Sequence, residues 1–381
     1  MVLYLTYNDQ PSGIYWSQVT DVVAHLNSLG EERVRLLALV SPRSFWKTRK
    51  AIKKHAPTVL VLPMVPTMQR WRMNSHILAW ACRMLRPSGI MARGPFATWM
   101  ALRMRDRGLV GKVGFDARGA YGAEWEEYRI VDDDALIAQV RPTEKEALEK
   151  SDIRLAVSNA LVANWQKQFG YRSLEHVVVP CTLGTAAAQD AGSSLTDREA
   201  LGLSAEDVVL VYAGSVAGWQ SFSLLEEILG AVLMEQPLVK VLFLSRSAFG
   251  IDALAAKFPG RVLRRWVDAA DVPALLAACD HGLLVREDSI TNRVASPTKF
   301  AEYLLAGLPV LISPHIGDYG GFVLRECAGT CVGAGTDIPD LHRTDADTRM
   351  HMRALALEHF SKAAHDAAYR KLMHVLGTPA A

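Results

Sequence analysis

Val294-Ala295-Ser296-Pro297-Thr298-Lys299-Phe300-Ala301-Glu302-Tyr303-Leu304-Leu305-Ala306-Gly307-Leu308-Pro309-Val310 is the stretch on which the reading of the fold turns. It predicts a loop, then a helix opening at Pro297 with Ser296 as its cap. Proline is pre-set for a first helical position, and a serine hydroxyl accepts an orphan backbone N–H. Gly307 predicts the helix stop and Val310 the start of a strand. Just upstream, His281-Gly282-Leu283-Leu284-Val285-Arg286 reads as another strand. Such a helix start presents free N–H groups and a positive dipole end, so it can hold a phosphate, and Thr298 and Lys299 can strengthen that site. Glu302, one turn further in, offers a carboxylate to ribose hydroxyls. On the residues alone, a capped surface helix with a solvated Lys299 and Glu302 is an equal alternative.

Working outward, short β-branched runs alternate with helical patterns, which is the signature of βαβ units and a parallel sheet. In the first half, Val2–Thr6, Val34–Val40, Val59–Leu62, Val113–Asp116, Ile153–Val157 and Val177–Val179 read as strands. Ser158 reads as the N-cap of a helix whose Leu161, Val162, Trp165 and Phe169 form one apolar stripe. The rhythm stops in a Gly/Ala/Ser/Thr-rich segment and restarts with Val208–Ala213, Val239–Leu244, Arg261–Leu263, His281–Val285 and Val310–Ile312. The fold class is α/β, with two doubly wound Rossmann-like domains facing each other across a cleft. The expected divisions are residues 1–180, a linker at 181–206, a second domain at 207–345, and terminal helices at 346–381 that pack back across the domains.

A chain of 381 residues, half of them hydrophobic, can bury two such cores, and a net charge of +2 gives the whole no general affinity for polyanions. Cys82, Cys181, Cys279, Cys327 and Cys331 are odd in number and scattered, so neither a disulfide framework nor a four-ligand zinc shell is expected. The start, Met1 to Tyr7, reads as a strand and not as an export signal, and no apolar run reaches the 18 or more residues of a spanning helix. A cytoplasmic location is expected. No dinucleotide-binding glycine fingerprint, P-loop, nucleophile elbow or zinc-protease helix appears.

The run V-A-S-P-T-K-F-A-E-Y-L-L-A-G-L-P-V, following its strand, resembles the donor-site segment of bacterial GT-B glycosyltransferases related to family four and to capsule and lipopolysaccharide assembly enzymes. The resemblance implies sugar transfer from a nucleoside-diphosphate sugar, without a metal or other cofactor. It implies that Glu302 binds the donor ribose and that Ser296, Thr298 and Lys299 lie against the diphosphate. It also places Gly214 and Ser215, after the strand Val208–Ala213, beside the phosphates, with Arg246 and more weakly Arg286 as basic groups. The family's second glutamate, eight positions before Glu302, is Val294 here, which leaves the carboxylate for the donor sugar unassigned. In the first half, similar enzymes place a glycine loop such as Pro11-Ser12-Gly13, leading into the helix with Gln18, over the reacting sugar; a plain tight connection is an equal alternative.

Asp116, Arg118 and Glu124 stand in a glycine-rich loop after a strand, where a carboxylate can orient or deprotonate an acceptor hydroxyl. An Asp–Arg brace is the alternative. His25 and His76 read as surface or core residues, and Trp165 and Trp266 as core aromatics.

Between Ser41 and Lys112 there are fifteen Lys or Arg residues against one acid, Asp106. Interleaved with Trp46, Trp71, Trp80 and Trp99, they predict contact with an anionic membrane surface through residues 43–112, and so a peripheral position on the inner face. No nucleic-acid motif accompanies them. The acceptor expected is a saccharide or a polyprenyl-linked one. The rival functions are a nucleotide-sugar 2-epimerase and a scaffold that binds nucleotide without turnover.

Overall fold

The computed structural model describes residues 1–189, 198–214, 221–246, 250–335 and 338–378. The chain forms two compact units, Met1–Gly184 with the C-terminal segment from His365, and Thr185–Ala364.

The first unit holds a seven-stranded parallel sheet in the order β3-β2-β1-β4-β5-β6-β7. Its strands are β1 (Val2–Tyr7), β2 (Val34–Val40), β3 (Leu60–Pro63), β4 (Gly89–Arg93), β5 (Lys112–Ala117), β6 (Ile153–Ala156) and β7 (His176–Val178). The second holds a six-stranded parallel sheet in the order β10-β9-β8-β11-β12-β13. These are β8 (Val208–Ala213), β9 (Val239–Leu244), β10 (Val262–Arg265), β11 (His281–Leu284), β12 (Val310–Ile312) and β13 (Gly329–Cys331). Every residue of β1 and β8 is buried, as expected of central strands covered on both faces. In each sheet the chain winds outward from the central strand and then returns to its other side, giving switch points at β1/β4 and β8/β11. Ligands of open α/β sheets bind at the carboxyl ends of the strands there.

Two strands, β4 and β13, were not among those expected. Gly89-Ile90-Met91-Ala92-Arg93 and Gly329-Thr330-Cys331 carry little β-branched character. Pairing supplies what propensity does not: β4 is hydrogen-bonded between β1 and β5. The terminal stretch is helical but broken. Ala346–Phe360 lies in the second unit, while Asp366–Gly377 belongs to the first, where Tyr369, Leu372, Met373 and Leu376 join Val2, Tyr4 and Met91 in one core. The expected linker contains a short helix, Thr185–Gln189, and a single turn, Glu199–Leu201.

Candidate functional site

In the second unit the helix Thr298–Leu305 follows β11, and one side chain pins it at the switch point. The Ala213 N–H donates to Tyr303 Oη at 2.9 Å, and that hydroxyl donates to the Leu283 carbonyl at 3.3 Å, so the helix is tied to β8 and β11 together. Its end behaves as predicted, with Gly307 in the left-handed region at φ 81°. Its start does not. Pro297, not Ser296, is the N-cap, and no side chain caps the helix. Ser296 is turned to the Tyr319 hydroxyl at 2.7 Å, because Tyr319 is stacked on Phe300 beneath the loop.

Lys299 reaches from this helix to the end of β8. Gly214 has φ +134°, and a Cβ there would stand 2.6 and 2.7 Å from Lys299 Cε and Nζ. Only glycine lets the ammonium lie along that backbone. The ammonium also sits 4.3 Å from the centre of the Tyr212 ring. Burial and the nearby Arg286 guanidinium push the Lys299 ammonium down to about 7, with Glu302 opposing. Arg286 is buried, its backbone N–H held by Ser313 Oγ at 3.0 Å and its guanidinium by Asn292 Oδ1 at 3.2 Å. Asn292, fully buried, in turn donates to the Glu287 carbonyl at 3.1 Å. Thr298 is half-buried and Glu302 exposed. Val294, standing where the family's other glutamate would be, is a buried core residue.

Arg246, just past β9, is exposed, and its guanidinium carbon lies 4.1 Å from the centre of the Trp266 ring. Trp266 is not the core residue expected: it is 54% exposed, because it follows β10 at the edge of the sheet. Ser215 lies outside the described residues.

In the first unit Asp116, at the end of β5, has no exposure at all. Tyr4 donates to its Oδ2, Arg118 Nε pairs with Oδ1 at 2.6 Å, and Arg93 NH1 stands 3.5 Å from Oδ2. Arg93 Nε is in turn 3.5 Å from Asp9 Oδ1. This is the brace, with Asp116 and Arg118 consumed in it, and it leaves Asp116 inaccessible to an acceptor hydroxyl. Gln18 is also taken. It is buried, donates to the Thr182 carbonyl at 2.6 Å and accepts from the Thr182 N–H at 3.3 Å, so it fixes the exit of the first unit and does not stand over a sugar. Ser12 and Gly13 are exposed at the start of a helix. Glu124 is half-buried in the first turn of the helix Tyr121–Tyr128. That helix start is filled by Glu144, which accepts from Tyr121 and Gly122 N–H at 3.1 and 2.8 Å. Burial pushes the Glu144 carboxyl up to about 7.

No family model matches the chain, and no curated protein does. Among solved structures it is similar to Anabaena Alr3699/HepE in complex with UDP, at 15% identity and TM-score 0.71 over 98% of this chain and 99% of that one. Sucrose-phosphate synthase (tll1590) from Thermosynechococcus elongatus gives 14% identity and 0.68 over 99% and 98%. WaaG, a glycosyltransferase involved in lipopolysaccharide biosynthesis, gives 14% and 0.58 over 99% and 95%. The fold is GT-B. Within this GT-B chain the predicted residues Gly214, Lys299 and Arg286 come together at the switch point of the second sheet, whereas Arg246 stands apart on Trp266. The residues missed were Asn292, Tyr303, Arg93 and Asp9. Their roles are contacts between segments distant from one another or between loop and strand, and no local pattern announces them.

Proposed function

We propose that this protein is a glycosyltransferase whose second unit holds a nucleoside-diphosphate sugar and whose first unit presents a saccharide or polyprenyl-linked acceptor, in the synthesis of a cell-surface glycan. The observation that carries the reading is Lys299 laid against Gly214 at the β8/β11 switch point, a cation and an open backbone side by side at the start of an uncapped helix. UDP complexes of a protein sharing the fold support the same donor class. Lys299, Arg286 and the helix N–H groups supply positive charge where negative charge builds up on a departing diphosphate, which is how such a site lowers the barrier. Added chelator is therefore expected to leave turnover unchanged, and an absolute requirement for a divalent ion would overturn that part of the mechanism.

Titration calorimetry with UDP tests the donor site. Glu302→Ala, which removes an exposed carboxylate and leaves the core intact, is expected to weaken UDP roughly tenfold, about the worth of a hydrogen bond to a charged group. Unchanged affinity removes Glu302 from the ribose.

The first unit presents a second partner surface. On one face of its sheet the helix Phe45–His55, anchored by Ile52, exposes Trp46 (74%) beside Lys47, Lys50, Lys53 and Lys54. On the other face the helix Ser75–Leu85, anchored by Leu78 and Cys82, exposes Trp80 and Met84 (54 and 68%) beside Arg83, with Arg86 just beyond it. Not all fifteen cations take part: Arg93 is inside the brace, Arg103 pairs with Glu146, and Arg105 and Lys112 pair with Asp152. No helix among the described residues is long and apolar enough to cross a membrane. The lysine-bearing helix Phe45–His55, with its exposed Trp46, suits peripheral contact with anionic lipid, at about 1 kcal/mol per cation near the headgroups. Replacing Lys47, Lys50, Lys53 and Lys54 together by Gln should cut cosedimentation with anionic vesicles by roughly a hundredfold or more. Wild-type binding should fall steeply as salt shortens the ~10 Å screening length of 0.1 M solution. Wild type that ignores anionic vesicles at low salt contradicts the membrane contact.

A further inference from the structure

Strand β10 is the edge of the second sheet. Edge strands are guarded by charge, and the exposed Arg264 and Arg265 do that; a tryptophan 54% exposed immediately afterwards is not explained by it. Its position is set by register. Ala213 pairs with Leu244, and Leu244 with Arg265, so the next residues, Gly214, Ser245 and Trp266, form one row along the carboxyl edge. Backbone hydrogen bonds continue the row: Gly214 N–H to the Leu244 carbonyl at 3.0 Å and Ser245 N–H to the Arg265 carbonyl at 3.2 Å. Neighbouring strands are about 4.8 Å apart, so Trp266 stands roughly 10 Å across the sheet from Gly214. Between them the buried Ser245 hydroxyl has no hydrogen-bond partner among the described residues.

We propose that Trp266 is the stacking platform for the nucleobase of the donor. This rests on the donor reading of Gly214 and Lys299. An extended nucleoside diphosphate with its phosphates on Lys299 spans the row and brings its base to the indole. The base takes the ring surface that the Arg246 guanidinium leaves open. Stacking requires only a π face, so the platform contributes affinity for any base and little choice between bases.

The test is titration calorimetry of the full chain with UDP, ADP, GDP and CDP, and with inorganic pyrophosphate, for wild type, Trp266→Ala and Trp266→Phe. The variants replace an exposed side chain, and their melting temperatures are expected to match wild type. Trp266→Ala is expected to weaken the tightest nucleotide about ten- to a hundredfold, Trp266→Phe to restore most of that, and pyrophosphate binding to stay unchanged. If Trp266→Ala binds the nucleotide as wild type does, the platform is overturned and the donor site stands. An equal loss for pyrophosphate overturns it too, since the residue then acts on the phosphate end. Wild type that binds neither nucleotide nor pyrophosphate overturns the donor reading and the platform with it.

Discussion

Replacing Asp116 by Asn is expected to cost about 3–5 kcal/mol of stability, the usual penalty for removing one partner of a buried ion pair. The carboxylate has no exposure, and it is the shared partner of Tyr4, Arg118 and Arg93. Without its charge, Arg118 loses its carboxylate and Arg93 keeps only Asp9. The cost lies in leaving the Arg118 guanidinium buried without its carboxylate, more than in the attraction lost. At about 2–4 °C per kcal/mol for a domain of 150–250 residues, melting of the first unit should fall by roughly 6–20 °C in calorimetry. Arg118→Met should also destabilise, since it takes from the buried carboxylate its 2.6 Å partner and leaves only Tyr4 and Arg93. A variant Asp116→Asn that melts with wild type but no longer transfers sugar would restore Asp116 to the chemistry and remove it from the brace.

Lys299→Met should weaken UDP binding near pH 6.5 about ten- to a hundredfold, because a charge-assisted contact to phosphate is worth about 1.5–3 kcal/mol. The pH dependence is the sharper signature. With the free ammonium pushed down to about 7, the protein binds diphosphate best when Lys299 is protonated, and the ligand raises that group in the complex. Binding therefore takes up a proton above pH 7. Apparent affinity should fall by up to roughly tenfold per pH unit from 7 to 9, since the competent fraction shrinks by that factor. Lys299→Met should abolish the slope, and Lys299→Arg, which stays charged, should bind without it. Calorimetry in two buffers of different ionisation enthalpy reads the proton directly. Zero uptake at pH 8 for wild type would mean that Lys299 does not meet the diphosphate.

The candidate residues of the two units differed in how far local sequence could predict them. In the second unit the strand, helix, glycine stop and strand lie within thirty residues, His281 to Val310, and local signals governed all of them except the cap. Ser296 has the right chemistry for a cap one residue too early, and the tyrosine that takes its hydroxyl lies 23 residues further on. In the first unit, Asp116 and Arg118 are adjacent enough to be read together, but whether a carboxylate is a base or a brace depends on burial. Here burial comes from Tyr4, 112 residues away, and from the C-terminal helix Asp366–Gly377 packed in the same unit.

By itself the sequence determined the alternation of strands and helices, the tandem of two α/β units, the helix Thr298–Leu305 with its stop at Gly307, and the cationic first half. Each follows from interactions within a few residues along the chain, which act in the same way whatever the rest of the fold does. Only the tertiary structure decided that Gly89–Arg93 is a strand, that Gln18 fastens Thr182, that Asp116 is sealed, and that Trp266 faces solvent in one row with Gly214. Those outcomes turn on which distant segment arrives alongside. A buried polar group has to find its partner there, whereas a group at a sheet edge is left facing water.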